Sequence, residues 1–228
     1  ASHTIMPFLS KSVPYDPDKD FAAIGSIGAS PLVLTVPANL PANSVKELVA
    51  LAKKQPLRAG APGMGGVGHI AAEIFKQVTE LDIPTIIYKG GAPAQMALNQ
   101  GEVHLVFATP PAAMAQIKSG RVKVLATSAA QRMPLMPEVP TFAEVGLPGI
   151  DVMPWQGFLA PAKTPRAIIM QLNAAIAGVL KEPDMVQRLA VAGSDVLIMT
   201  PEALAAKIRR ELAYFEKVIR VARIKPAE

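Results

Sequence analysis

Ile83-Pro-Thr-Ile-Ile-Tyr88, Lys89-Gly-Gly-Ala-Pro93, Val103-His-Leu-Val-Phe107, Ala108-Thr-Pro-Pro111 and Val122-Lys-Val-Leu-Ala-Thr127 follow one another between residues 83 and 127. The apolar, β-branched runs read as strands and the glycine and proline clusters as the turns that end them. Helix-forming segments fill the gaps, from about Pro93 to Asn99 and from Ala112 to Lys118, the latter closed by Gly120. Strands that alternate with helices form a parallel sheet covered by helices on its faces. The fold class is therefore α/β.

Working outward, Leu57-Arg-Ala-Gly-Ala61 is a possible short strand. The loop Gly63-Met-Gly-Gly-Val-Gly68 follows it, then a helix from about His69 through Ile70, Ile74, Phe75 and Val78. Upstream, Leu32-Val-Leu-Thr-Val36 is a strand bounded by Pro31 and Pro37, and Phe21 to Gly28 is a short apolar run. Ser44 and Glu47 have the spacing of a capping box, which starts a helix carrying Val45, Leu48 and Val49. Residues 1–20 are polar, with a turn cluster at Tyr15-Asp-Pro-Asp-Lys-Asp20. Downstream, prolines recur at 134, 137, 140, 148, 154, 161 and 165. They describe either a rigid connection between two lobes or an ordinary surface loop. Periodic helices follow at Ile168–Lys181, Asp184–Ala192 and Pro201–Ala222, the last with Thr200 as N-cap and proline at its first position.

Composition bounds the function. Half of the 228 residues are apolar, enough for a sizeable core, while charged residues make up 18% and aromatics 5%. No cysteine is present, which removes disulfides, thiolate metal sites and a cysteine nucleophile. No apolar run approaches the ~18–20 residues that span a bilayer. The net charge of +5 raises the question of nucleic acid. The dense basic stretch, Lys207 to Lys225, is interleaved with Glu211 and Glu216 and lacks alternating aromatics, so a solvated helix face fits better.

Gly63-x-Gly65-x-x-Gly68 matches the dinucleotide fingerprint, whose context must include an apolar strand before it and an acidic residue closing the next strand. Leu57 to Pro62 is scarcely apolar, and the next strand closes on Tyr88-Lys89. The physics of the loop outlasts the motif. Glycines ahead of a helix leave backbone N–H groups uncovered at the positive end of the dipole, a setting for phosphate or carboxylate alike. The bland alternative is a turn that needs glycine only for positive φ. Lys89-Gly-Gly-Ala92 and Thr109 end two further strands, where ligands of open α/β sheets bind, although a surface lysine is more often simply solvated. Catalytic signals are thin. His3, His69 and His104 lie on different segments without metal-ligand spacing, no Gly-x-Ser-x-Gly elbow occurs, and the carboxylates sit mostly on helices. Trp155, the single tryptophan, is read as core.

Tyr15-Asp-Pro-Asp-Lys-Asp-Phe21, Val45-Lys-Glu-Leu-Val49, the glycine loop with His69, Tyr88-Lys-Gly-Gly-Ala-Pro-Ala94, Pro140-Thr-Phe-Ala-Glu-Val-Gly-Leu-Pro148 and Trp155-Gln-Gly-Phe-Leu-Ala-Pro161 occur in this order. Together they make the chain resemble the Bug-type receptors, the extracytoplasmic solute-binding proteins of tripartite tricarboxylate transporters. The resemblance implies a two-lobed periplasmic-binding-protein-like fold of type II, with parallel-rich sheets flanked by helices. It implies a periplasmic location, a small carboxylate held in a cleft between the lobes, and membrane transporter subunits as partners. No catalysis, cofactor, metal, nucleic acid or membrane insertion is expected. One lobe would comprise residues 1–37 and 151–228, the other residues 38–150. The family opens with a strand and glycine loop ahead of the position of Ala1, so the first lobe is expected to be incomplete here. Where the family often has Ser or Thr, this chain has Gly66 and Val67, and Ala108 stands where an Asp is frequent. Backbone donors and Thr109 would then hold the ligand, and a plain mono- or dicarboxylate or an aromatic acid fits better than a ligand with an ammonium group.

The residues expected to line the site are Gly63, Met64, Gly65, Gly66, Val67, Gly68 and His69, then Tyr88, Lys89, Gly90, Gly91 and Ala92, then Thr109, with Ser2, His3 and Thr4 from the other lobe. Two other readings stay open: a nucleotide-binding α/β enzyme using the Gly-x-Gly-x-x-Gly loop, and a ligand-sensing module that contacts a signalling partner.

Overall fold

The computed structural model describes residues 2–10, 13–150, 152–221 and 224. In chain order the elements are α1 (Ser2–Leu9), β1 (Phe21–Ala29), β2 (Val33–Pro37), α2 (Val45–Ala52), β3 (Ala59–Pro62), α3 (Val67–Thr79), β4 (Thr85–Tyr88), α4 (Gly91–Asn99), β5 (Leu105–Ala108), α5 (Pro110–Lys118), β6 (Val122–Thr127), β7 (Trp155–Pro161), α6 (Arg166–Val179), α7 (Pro183–Val191), β8 (Asp195–Val196) and α8 (Pro201–Val221). Contacts divide the chain into residues 31–153 and a second unit made of residues 1–30 with 154–228. The borders fall at 30–31 and 153–154 rather than at 37–38 and 150–151. Hydrogen bonding explains the first shift, because β2 pairs with β5 and β6 and so belongs to their sheet.

The sheet of residues 31–153 has the order β4-β3-β5-β2-β6. Strands β4, β3 and β5 are mutually parallel, and β2 runs against both β5 and β6, so β2 alone is reversed. Val33, Leu34, Thr35 and Val36 are all buried, as a near-continuous apolar strand must be when both faces are covered. Phe107 lies between Phe75 and Phe142, with ring centroids 5.8 Å away on each side. The Ser44 half of the capping box forms as its spacing predicts, and the Glu47 half reaches one residue further back. Ser44 accepts from the Glu47 N–H at 3.2 Å, and the Glu47 carboxylate accepts from the Asn43 N–H at 2.7 Å.

The proline-rich stretch folds back onto the core of this unit. Met133, Met136 and Val139 are buried among Val33, Leu98 and Val106. Ser128 Oγ donates to the Val152 carbonyl at 2.7 Å and accepts from the Leu32 N–H at 2.8 Å. Thr141 and Glu144 cap each other's backbone N–H groups at 3.1 and 2.7 Å, which sets the turn around Phe142.

The other unit carries the sheet β7-β1-β8, antiparallel throughout, so the parallel-rich expectation describes residues 31–153 alone. Helix α8 begins at Pro201 with Thr200 Oγ1 accepting from the Ala203 N–H at 3.2 Å, the cap read from the sequence. The buried indole N–H of Trp155 donates to Glu211 at 2.8 and 3.0 Å, and Lys207 pairs with the same carboxylate at 2.9 Å. Among the described residues no helix is long and apolar enough to cross a membrane, and no group of His, Asp or Glu is placed to hold a metal ion.

Candidate functional site

Three parallel strands end at one edge of the larger sheet, and each leads directly into a helix. β3 runs through Gly63–Gly66 into α3, β4 through Lys89 and Gly90 into α4, and β5 through Thr109 into α5. This is the carboxyl edge, where open α/β sheets place their ligands. The first two loops are tied together through the backbone. The Gly63 N–H reaches the Ala61 carbonyl at 3.0 Å and the Tyr88 carbonyl at 2.9 Å, and the Gly90 N–H donates to that same Tyr88 oxygen at 2.9 Å. Tyr88 thus serves the edge through its main chain. Its hydroxyl turns to Glu102 at 3.2 Å, and burial together with that carboxylate raises the phenol's pKa.

The four glycines of the first loop each have a local reason. Gly63 and Gly65 have φ of +97° and +65°, a region costly for other residues. A Cβ on Gly66 would lie 3.0 Å from the Pro62 carbonyl, and one on Gly68 only 2.5 Å from the Phe107 carbonyl. The number of glycines therefore carries no argument for an anion site, since turn and close approach require them all. The donors carry it instead. Val67, Gly68 and His69 occupy the first turn of α3, and the first intrahelical bond is Ile70 N–H to the Gly66 carbonyl at 3.0 Å. First-turn N–H groups have no intrahelical acceptor. The same holds for Gly91 and Ala92 of α4, whose first bond is Ala94 N–H to Gly90 at 3.4 Å. The Met64 N–H has no partner among the described residues, and its side chain is exposed.

Helix α5 differs. Pro110 and Pro111 fill its first two positions and have no N–H, while the Ala112 N–H is taken by the Thr109 carbonyl at 3.0 Å. The half-buried Thr109 makes no side-chain cap bond, so its hydroxyl is what this strand end offers. Residues 63–69, 88–92 and 108–111 contain no Asp or Glu, and the exposed Lys89 is their one charged group besides the titratable His69.

His69 faces inward. Its Nδ1 accepts from the Gly65 N–H at 2.9 Å, and its Nε2 lies 3.7 Å from Glu73. Burial lowers its pKa, Glu73 opposes the shift and Lys76 adds to it. The sequence offers a signal for this pair, since His69 and Glu73 are four residues apart on one helix face. His104 is a structural acceptor for the Arg58 N–H at 3.1 Å. Of the residues expected from the other lobe, Thr4 is fully buried with its hydroxyl donating to Glu211 at 2.9 Å. His3 Nε2 lies 2.8 Å from the Pro17 carbonyl, with its ring against Tyr15 and Phe21. The Ser2 side chain lies outside the described residues. The residues around 63–69, 88–92 and 109 are thus brought to one edge, and His3 and Thr4 are engaged within their own unit.

A hollow of about 400 Å³ lies elsewhere in residues 31–153, where β6 begins, lined by Asn43, Lys123, Glu138 and Val145 among others. Its lysine is committed to the Leu40 carbonyl and Asn43 Oδ1 at 2.8 and 2.7 Å.

Comparison with known proteins agrees with this architecture. The family model described as Tripartite tricarboxylate transporter family receptor matches residues 1–223. Protein BugT of Bordetella pertussis is 32% identical over 214 residues, which cover 93% of this chain and 66% of BugT. The chain spans 64–66% of the length of the first curated relatives it matches. Among solved structures, R. palustris Rpa4515 with adipate superposes with a TM-score of 0.83 at 32% identity, covering 99% of this chain and 77% of that one. MatC (Rpa3494) from Rhodopseudomonas palustris with bound malate gives 0.78 at 29% identity, covering 96% and 76%. The fold is that of the two-lobed periplasmic binding proteins. The chain belongs to the tripartite tricarboxylate transporter receptor family, the Bug-type solute-binding receptors.

Proposed function

We propose that this chain captures a small carboxylate at the carboxyl ends of β3, β4 and β5 and delivers it, from the periplasm, to the membrane subunits of a tripartite tricarboxylate-type transporter. The observation that carries this reading is the edge itself. Two helix first turns and the Met64 N–H present backbone donors there, and the three loops hold no carboxylate to compete. Oriented N–H groups at helix N-termini favour an anion without any side chain. The related structures that hold adipate and malate carry the same chemical group. Ala108 leaves β5 without an acid beside Thr109, so a ligand with an ammonium group would find no counter-charge on this strand end.

The test is calorimetry with adipate, malate and an aromatic acid. Met64→Asp places a negative charge on the exposed position between the donors and is expected to weaken binding about ten-fold or more, since like charges ~4 Å apart repel by ~1 kcal/mol even in water and by more near a protein surface. Met64→Ala is expected to stay within about two-fold. Equal binding by the Asp variant would remove the loop from the site.

One observation favours a second reading. β3 is a buried strand that leads through Gly63-x-Gly65-x-x-Gly68 into α3, the setting a dinucleotide site requires. The acid that would hold the ribose is still missing, because β4 closes on Tyr88-Lys89. Stabilisation of the chain by NAD or ATP, with none by the acids, would establish a nucleotide protein and end the receptor reading.

A further inference from the structure

The Gly65 N–H donates to His69 Nδ1 at 2.9 Å within buried surroundings. A ring nitrogen that accepts has no proton of its own, so the imidazole is neutral and its single proton sits on Nε2. Nε2 lies 3.7 Å from Glu73 Oε1. Glu73 is itself buried and is held by Lys76 Nζ at 2.8 and 2.9 Å and by the Thr85 hydroxyl at 2.7 Å. A continuous set of polar contacts therefore runs from the glycine loop, through α3, to the start of β4. Gly65 stands at φ +65°, between Met64 and the N-cap Gly66, so whatever fixes Gly65 fixes the direction of the neighbouring N–H groups.

We infer that His69 is a positioning residue for the ligand loop: in its neutral form it holds Gly65, and with it the donors of Met64 and Val67, in the binding arrangement, and protonation of its ring releases them. The inference rests on the reading of this loop as the carboxylate grip. The mechanism is a change of sign at one atom. A protonated imidazole donates from both nitrogens. Nδ1–H would then face the Gly65 N–H, donor against donor, and the 2.9 Å contact could not persist. Among the described residues the charged groups acting on the ring are Glu73 and Lys76, both on α3, and from β4 the neutral Thr85 bonds to these two rather than to the ring. Burial disfavours the imidazolium, which leaves the accepting form in place at neutral pH. The sign follows: the latch is closed above the ordinary imidazole value of 6.5 and opens as pH falls through the lower value of the buried ring.

The test has a ligand-free arm and a binding arm. In the 15N-labelled chain, the His69 ring nitrogens and the Gly65 amide are followed by NMR from about pH 7.5 to about pH 5. The expected result is an unprotonated Nδ1 at the upper end and a Gly65 amide signal that moves with the His69 titration. A Gly65 amide indifferent to that titration overturns the proposal. In the binding arm, adipate and malate are titrated into the parent, His69→Asn and His69→Ala over the same range. Asn keeps an acceptor oxygen near the Nδ1 position but does not ionise. It is expected to bind within about three-fold of the parent at neutral pH and to lose the excess weakening of the parent on acidification, which also controls for protonation of the acids themselves. Ala is expected to bind about five-fold or more weakly at neutral pH. Identical pH slopes for parent and Asn variant, or parent-like affinity in a folded Ala variant, sink the proposal. If the parent binds no carboxylate, the receptor reading falls, and the NMR arm alone still decides whether His69 controls Gly65.

Discussion

Helices α3 and α5 start at the same edge of the same sheet, from the neighbouring strands β3 and β5, yet their first turns are opposites. The start of α3 is built from glycine and presents main-chain N–H groups; its one buried polar side chain, His69, turns back to brace the loop. The start of α5 is built from two prolines and presents no N–H at its first two positions, leaving the Thr109 hydroxyl. One helix offers chemistry that any residue with an N–H supplies, the other chemistry that depends on a single side chain. If the edge binds as proposed, the difference separates main-chain donors at α3 from a single side-chain hydroxyl at α5.

The comparison breaks most severely at Phe107, the β5 residue against which the start of α3 is packed. Its carbonyl abuts Gly68, and its buried ring joins Phe75 to Phe142. Phe107→Ala is expected to cost about 3–5 kcal/mol in urea unfolding, from lost burial and the cavity left behind. A loss under about 1 kcal/mol would mean that the start of α3 does not depend on the Phe107 ring. Gly68→Ala comes next. Its new methyl group would sit 2.5 Å from the Phe107 carbonyl and 2.9 Å from Pro62 Cδ, so we expect about 1–3 kcal/mol of destabilisation despite the better helix propensity of alanine. An unchanged unfolding midpoint would show that α3 can back away from β5. The smallest effect sharpens the contrast directly. Thr109→Val removes one hydroxyl and is expected to weaken carboxylate binding about two- to five-fold in calorimetry, with the unfolding free energy shifted by less than about 1 kcal/mol. A loss as large as that from Met64→Asp would place the main grip on α5 and reverse the assignment of roles.

Local signals are legible in the amino-acid sequence alone. Ser44 with Glu47 and Thr200 with Pro201 mark helix starts by contacts between residues three or four apart, and the structure makes those contacts. The order of alternating strands and helices from 83 to 127 likewise needs only periodicity. Features set by tertiary approach are harder to read. Ala59-Gly-Ala-Pro62 scarcely looks like a central strand, because its small residues answer to neighbours elsewhere in the sequence: a Cβ on Gly60 would lie 2.9 Å from both Val103 and Val106. Ala108-Thr-Pro-Pro111 reads as the tail of a strand, although proline is well suited to the first turn of a helix, which is where Pro110 and Pro111 stand. The proline-rich stretch reads equally as connector or loop, and only its buried Met133, Met136 and Val139 assign most of it to the core of residues 31–153. Of the site, the three loops follow from the strand ends. The inward turn of His69 does not, because it depends on a left-handed glycine four residues earlier.

The Tyr88 carbonyl, which receives the N–H groups of both Gly63 and Gly90, has a consequence for evolution. A contact made wholly of main-chain atoms survives every substitution that leaves the backbone path intact. The side chain at position 88 can change, and the joint between the two loops remains. The same holds for the N–H groups of the helix first turns. Such a path constrains the glycines that permit it and leaves the neighbouring side chains free to vary. The chain and R. palustris Rpa4515 share 32% of their residues and superpose with a TM-score of 0.83, so the backbone path persists while most side chains differ.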